Sequence, residues 1–253
     1  MQFEKYDPEQ HADKLMDWFT EKAVEPEDYE RYKEAAEEAY HDFGDVFGLD
    51  REIRFVLAET DVSVLEDRYE EIPAQAYSQG FSADPNTESH DVEVPTVFMM
   101  TTSRYEYWED SLKYVAVHEL AHQKFYDNHD VGWRIFQRML FEGHAMHSAE
   151  KVAEEKDYRW SQAGWKVEEV DPIEVRKELD RLNTWKGEQE GEVSTFFVPG
   201  GDRWPNAEGY PITYQLTENV RVRKGIGVSE LLDLGFDEWR DEIEKSLEDE
   251  YGG

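Results

Sequence analysis

The sequence contains no cysteine among its 253 residues. Disulfides and thiolate metal sites are therefore excluded, and any transition metal must be bound by His, Asp or Glu. Long apolar runs are also missing, since nowhere do about 18 apolar residues follow one another. The opening segment MQFEKYDPEQ lacks the basic start and apolar stretch of an export signal. These absences predict a cytoplasmic protein that does not cross a membrane.

Basic residues are scarce, with 27 Lys and Arg against 60 Asp and Glu, which gives a net charge of -33. Because no basic patch remains to neutralise phosphates, we do not expect nucleic-acid binding. The acidic excess has two interpretations, a halophilic surface adapted to high salt or a mimic of a polyanion. Acidic residues are spread along the whole chain rather than gathered in one tail. This spread favours the halophilic interpretation.

Apolar residues make up 39% of the chain, enough for a core, and their spacing predicts an α+β fold. Strands are expected at 52–60 and 95–102, with a polar loop at 82–95. Helices are expected at about 8–19, 27–47, 110–126, 132–155, 172–185, 210–222 and 236–250. The pattern predicts a small sheet in the N-terminal half and a mostly helical C-terminal half. A soft domain boundary near residue 105 divides 1–105 from 106–253, unless the chain is one continuous domain.

One motif carries metal chemistry. His118, Glu119 and His122 form the pattern H-E-x-x-H within a predicted helix. Residues four apart lie on one helix face, so both imidazoles can bind one ion, and a catalytic zinc keeps a further position for water. Glu119 would accept the proton of that water. The pattern arises by chance roughly 0.04 times in a chain of this composition, and the uncharged neighbours on its helix argue against a solvated helix surface.

The next predicted helix contains Glu142, within the segment F-E-G-H-A-M-H. H-E-L-A-H followed by this glutamate resembles the gluzincins, zinc metallopeptidases in which a carboxylate from the following helix completes a His-His-Glu set. The E-G-H-A segment is also similar to an uncharacterised family of predicted zinc-dependent proteases. The resemblance covers roughly residues 95–235. It implies a zincin-like fold, Zn²⁺ bound by His118, His122 and Glu142, Glu119 as general base, and a peptide or protein substrate.

Other ligand sets are possible. His144 and His147 lie close to Glu142 in the sequence, and either one could replace it as the third ligand. The metzincin pattern is absent, because Phe125 stands where that pattern requires glycine and His129 is displaced from the third histidine position.

Two positions depart from the gluzincin pattern. Lys124 stands where an apolar residue is usual, and Met146 stands where an acidic residue often orients a ligand. The group that orients the imidazoles is therefore left open among Asp127, His147 and Glu150.

The segment G-Y-P-I-T-Y supplies Tyr210 and Tyr214, and the resemblance implies that one of them donates a hydrogen bond to the oxyanion. Packing is the alternative role for both tyrosines. The expected function is zinc-dependent peptide hydrolysis. The alternatives are hydrolysis of a non-peptide amide or ester, and a zincin-fold binding or regulatory module with little turnover. The intact Glu119 argues against the binding module, and the sequence does not indicate an oligomeric state.

Overall fold

The computed structural model describes residues 1–11, 17–49, 51–61, 78–85, 92–104, 106–129, 134–159 and 209–251. The strands are β1 (Gln2–Lys5), β2 (Ala23–Val24), β3 (Arg54–Thr60), β4 (Ser78–Ala83) and β5 (Thr96–Thr101). The helices are α1 (Pro8–His11), α2 (Asp17–Thr20), α3 (Tyr29–Phe47), α4 (Trp108–Tyr126), α5 (Ile135–Lys156), α6 (Gly209–Lys224) and α7 (Phe236–Tyr251). A 3-10 helix covers Ser229–Asp233. The predicted α+β class, with a small N-terminal sheet and mostly helical structure elsewhere, is confirmed.

The sheet is mixed. Its strand order is β1-β3-β5-β4, with β2 paired to β3. Strands β1, β3 and β5 are parallel, whereas β4 runs antiparallel to β5 and β2 antiparallel to β3. All six residues of β5 are buried, which explains the apolar run V-F-M-M between its two threonines. In this strand order, which covers the described residues, β4 lies at one end, next to β5.

The chain forms two compact units, and the boundary between them falls within α4 and within α5. The first unit contains Met1–Lys124 and Ala149–Ser161, and the second contains Phe125–Ser148 and Gln162–Gly253. The domain boundary near residue 105 stays a prediction. Across the described residues, no helix combines the length and apolar character needed to cross a membrane.

In the second unit, Gly143 on α5 lies directly against Thr217 on α6. A Cβ placed at Gly143 would lie 2.1 Å from the Thr217 Oγ1 and 3.1 Å from its Cβ. Thr217 is fully buried. The glycine of the E-G-H-A segment therefore allows close packing of α6 on α5.

We expect Gly143→Ala to lower the free energy of unfolding by about 1–3 kcal/mol, because overpacking outweighs the helix propensity of alanine. Chemical denaturation measures this change. Gly44→Ala is the matched control, since nothing lies within 4 Å of a Cβ at Gly44 on α3. Adding Thr217→Ala to Gly143→Ala should restore much of the stability. A Gly143→Ala variant as stable as the parent protein would contradict the close packing.

The net charge of -33 leads to a second prediction. The screening length falls from about 10 Å at 0.1 M salt to about 3 Å at 1 M, so molar KCl should suppress repulsion between carboxylates. We expect the thermal unfolding midpoint to rise by at least about 2–4 °C, the shift that 1 kcal/mol produces in a domain of this size. A midpoint that stays constant or falls with KCl would reject the halophilic interpretation and favour a cationic partner.

Candidate metal centre

Helix α4 carries the H-E-x-x-H motif and is almost completely buried. Glu109 and Asp110 in its first turn and Lys124 in its last turn have the charges that the helix dipole favours. Every residue from 111 to 123 is buried except His118, which is half-buried. Ionisable side chains are rare in such surroundings unless they bind a partner or an ion.

The two histidines and the glutamate of the motif converge. One ligand atom from each of His118, Glu119 and His122 lies within 4.8 Å of the other two. The imidazole rings of His118 and His122 lie 4.6 Å apart between centroids, with an angle of 88° between their planes. Glu119 is 6% exposed and His122 is 4% exposed. The group is therefore a shielded cluster of two nitrogen donors and one carboxylate.

These donors suit a zinc ion. Zinc takes imidazole nitrogen and carboxylate oxygen ligands, and two or three such donors leave room for water in a tetrahedral site. Imidazole also suits copper, iron and nickel, so the donors define a metal-binding group and do not define the metal. Among the described residues, no other group of three or more His, Asp or Glu side chains is compact enough to bind a metal.

Hydrogen bonds attach α4 to the sheet at the motif itself. The Ser82 hydroxyl on β4 donates to the backbone carbonyl of Glu119 at 2.8 Å. The buried Gln123 amide donates to the carbonyl oxygens of Ala83 at 2.9 Å and Thr96 at 3.3 Å. Ala83 and Thr96 are register partners at the junction of β4 and β5. The Gln123 side chain thus links the motif helix to both strands.

A buried ion pair supports the same end of α4. The Arg51 guanidinium lies 2.7 Å from the carboxylate of Asp84, which is fully buried. The same guanidinium donates to the Gln123 carbonyl at 2.8 Å. Arg51 therefore satisfies both a buried charge and a carbonyl near the C-terminal end of the helix.

Lys124, which departs from the gluzincin pattern, has a structural role. Its ammonium group donates to the carbonyl oxygens of Phe47 at 2.8 Å and Gly48 at 2.7 Å. These carbonyls lie at the C-terminal end of α3, where a cation interacts favourably with the helix dipole. The lysine stabilises the end of α3 and holds α4 beside it.

Glu142, the predicted third ligand, lies half-buried on α5 in the second unit. The compact group described above does not include it. Its role as a metal ligand stays a prediction.

His147, the alternative ligand, is hydrogen-bonded to α6 through one ring nitrogen. Its Nε2 lies 3.1 Å from the carbonyl oxygen of Tyr214, and its Nδ1 lies 3.8 Å from a carboxylate oxygen of Glu218. Since a carbonyl can only accept, Nε2 carries the proton in this contact. Burial lowers the pKa of His147 to about 4, so the ring is neutral at pH 7. These contacts favour a role of His147 in packing α5 on α6.

His144, the other alternative, is fully buried in the second unit. Its ring lies 5.8 Å from the Phe125 ring, and its Nε2 lies 3.4 Å from the Ser148 hydroxyl. These contacts favour packing for His144 as well.

The candidate oxyanion donors Tyr210 and Tyr214 lie four residues apart on α6 and are both half-buried. The Tyr214 ring stacks on the His147 ring at 4.2 Å between centroids, with 16° between the planes. This stacking favours a packing role for Tyr214, which is the alternative to the role of oxyanion donor. Hydrogen bonding of either hydroxyl to an oxyanion stays a prediction.

The remaining candidates for orienting the imidazoles are Glu150 and Asp127. Glu150 is buried in the first unit and accepts a hydrogen bond from the Tyr114 hydroxyl at 2.6 Å. Tyr114 precedes His118 by one turn of α4, so this hydrogen bond joins Glu150 on α5 to the motif helix. Asp127 follows α4 and is exposed.

Comparisons with models of known protein families, with curated proteins and with solved structures found no match. The functional assignment therefore depends on the residues themselves. Sequence reasoning missed Ser82, Gln123 and the pair of Arg51 with Asp84. Each of these contacts joins residues far apart in the chain, and no local pattern marks them.

Proposed function

We propose that the protein is a zinc-dependent peptidase of the gluzincin type with a zincin-like fold. The observation that supports this proposal best is the convergence of His118, Glu119 and His122 on a buried helix. In the proposal, His118, His122 and Glu142 bind one zinc ion. Glu142 is included because the sequence pattern places a glutamate there, and because its competitor His147 is used in packing against α6.

A bound zinc ion would act as a Lewis acid and lower the pKa of a water molecule. Glu119 accepts a proton from the attacking water at its carboxylate and then delivers it to the leaving amine nitrogen. Burial strengthens the electrostatic effect of this carboxylate because little bulk water screens it. Tyr210 or Tyr214 donates a hydrogen bond to the oxygen on which negative charge develops.

We expect the purified protein to bind about one zinc ion per chain through nitrogen and oxygen donors only. Elemental analysis gives the stoichiometry, and X-ray absorption identifies the donor atoms. A chelator should remove both the zinc and the cleavage of a peptide library, and added zinc should restore them. Protein that cannot take up zinc at neutral pH would refute the proposal.

The same preparation separates the alternative functions. A zinc-loaded protein that hydrolyses esters or non-peptide amides, and no peptide, would have the alternative hydrolase function. A protein that binds zinc and peptides without cleaving any of them would be the binding module.

A further inference from the structure

Gly80 lies in the middle of β4, opposite Met99 of β5. A glycine within a strand weakens it, and often marks a place where another group approaches the backbone closely. Residues two apart in a strand share a face, and the hydroxyl of Ser82 reaches the Glu119 carbonyl. Gly80 therefore faces α4 at the level of the motif.

The group that approaches Gly80 is the side chain of Glu119. A Cβ placed at Gly80 would lie 2.6 Å from Glu119 Cγ and 3.0 Å from Glu119 Oε1. Val115 Cγ1 would also lie close to this Cβ, at 2.9 Å. Any side chain at position 80 would therefore displace the Glu119 side chain, Val115 or the strand. The backbone of Gly80 is ordinary extended strand, so available space, and not backbone conformation, requires the glycine.

Glu119 has little room in which to move. It is 6% exposed, its own carbonyl is bound by Ser82, and its carboxylate lies within 4.8 Å of the imidazole nitrogens of His118 and His122. A shift of its Cγ would change the distances between the carboxylate and both imidazoles.

We propose that Gly80 is a positioning residue for the Glu119 carboxylate: the absence of a side chain on β4 leaves the space in which this carboxylate meets the two histidines. The catalytic consequence rests on the proposed function, in which Glu119 is the general base. The close contact between Gly80 and Glu119 does not depend on that function.

The first test is Gly80→Ala in the zinc-loaded protein. Misplacing a reacting group by about 1 Å can lower a rate by about 100-fold, so we expect kcat per bound zinc to fall about 10- to 100-fold. The KM and the zinc content should change little, because the three atoms nearest to a Cβ at position 80 belong to Glu119 and Val115 and not to an imidazole. Loss confined to kcat separates positioning from general loosening, which would also reduce zinc content. Gly44→Ala, with open space around its Cβ, should keep the parent kcat.

The second test uses urea unfolding of the metal-free protein and requires no activity. Gly80→Ala should lower the unfolding midpoint in the parent chain and lower it less in a Glu119→Ala background, where the closest contact is gone. In the Glu119→Ala/Val115→Ala background, both close neighbours are shortened, and Gly80→Ala should be nearly neutral. This background also serves if Gly80→Ala alone fails to fold.

Two results would overturn the proposal. One is an equal loss of midpoint in the parent and in both shortened backgrounds, or failure to fold in all of them, which would show that the strand itself rejects the side chain. The other is a zinc-loaded Gly80→Ala protein with the parent kcat. If the parent protein cleaves no peptide, the proposed function fails, while the unfolding experiment still tests the contact between Gly80 and Glu119.

Discussion

Glu119→Gln should retain the zinc ion and lose at least about 100-fold in kcat, since general-base catalysis contributes about 10²- to 10⁴-fold. Glutamine keeps the shape of the side chain, so the packing against Gly80 and the hydrogen bond from Ser82 to the backbone remain. It cannot accept a proton from the attacking water. Peptide cleavage and metal content are measured on the same preparation, so that loss of chemistry is separated from loss of metal.

Glu154→Gln is the matched control for this experiment, because Glu154 is an exposed residue of α5 in the first unit. We expect it to retain the parent rate and the parent zinc content. A Glu119→Gln variant that cleaves peptides at more than about a tenth of the parent rate would remove Glu119 from the role of base.

The second large effect concerns the third ligand. Loss of a residue that only hydrogen-bonds to a metal ligand lowers metal affinity by about 10- to 100-fold. Glu142→Ala should reduce zinc affinity by more than this, and activity should fall with it. His147→Ala should retain zinc, because its Nε2 donates to the Tyr214 carbonyl and its ring stacks on the Tyr214 ring. Competition with a chromophoric chelator measures both affinities, and His118→Ala gives the reference for a lost ligand.

The reverse result is equally informative. If His147→Ala loses zinc as completely as His118→Ala while Glu142→Ala keeps it, the third ligand is His147 and the gluzincin assignment fails. The H-E-x-x-H part of the proposal would survive, because His118 and His122 converge with Glu119 within one helix.

The long helices could be predicted from the sequence because their apolar spacing is regular over several turns. Helices α3, α4, α5, α6 and α7 lie where they were expected, with ends that differ by a few residues. Strands β3 and β5 were also expected, because their sequences are runs of strand length rich in strand-forming residues. The helix predicted at 172–185 lies outside the described residues. Of the helix predicted at about 8–19, α1 and the start of α2 are described, and residues 12–16 are not.

Strand β4 could not be predicted in the same way. Its residues S-Q-G-F-S-A include a glycine and an alanine, which are depleted in strands, and a single aromatic residue. Pairing with β5 and the approach of α4 determine its structure, and both depend on residues distant in the sequence. The predicted loop at 82–95 therefore begins with two residues of this strand. The short strands β1 and β2 were missed as well, because strands of four and two residues carry little periodicity.

For the candidate site, the motif could be predicted because helix geometry alone brings His118 and His122 to one face. The surroundings of the motif could not. Nothing in the local sequence shows that Lys124 binds the end of α3 or that Arg51 pairs with Asp84. These contacts form only in the folded protein, because they join residues that are distant in the sequence.

The attachment of α4 at Ser82, Gln123 and Lys124 has a consequence for metal affinity. Each contact is made by protein atoms alone, so the helix that presents the imidazoles is ordered before an ion arrives. Ordering a flexible site costs free energy that is subtracted from the affinity, and a preorganised site avoids that cost. The two histidine donors are therefore ordered when the protein folds. Little of the free energy of metal binding is then lost in ordering them.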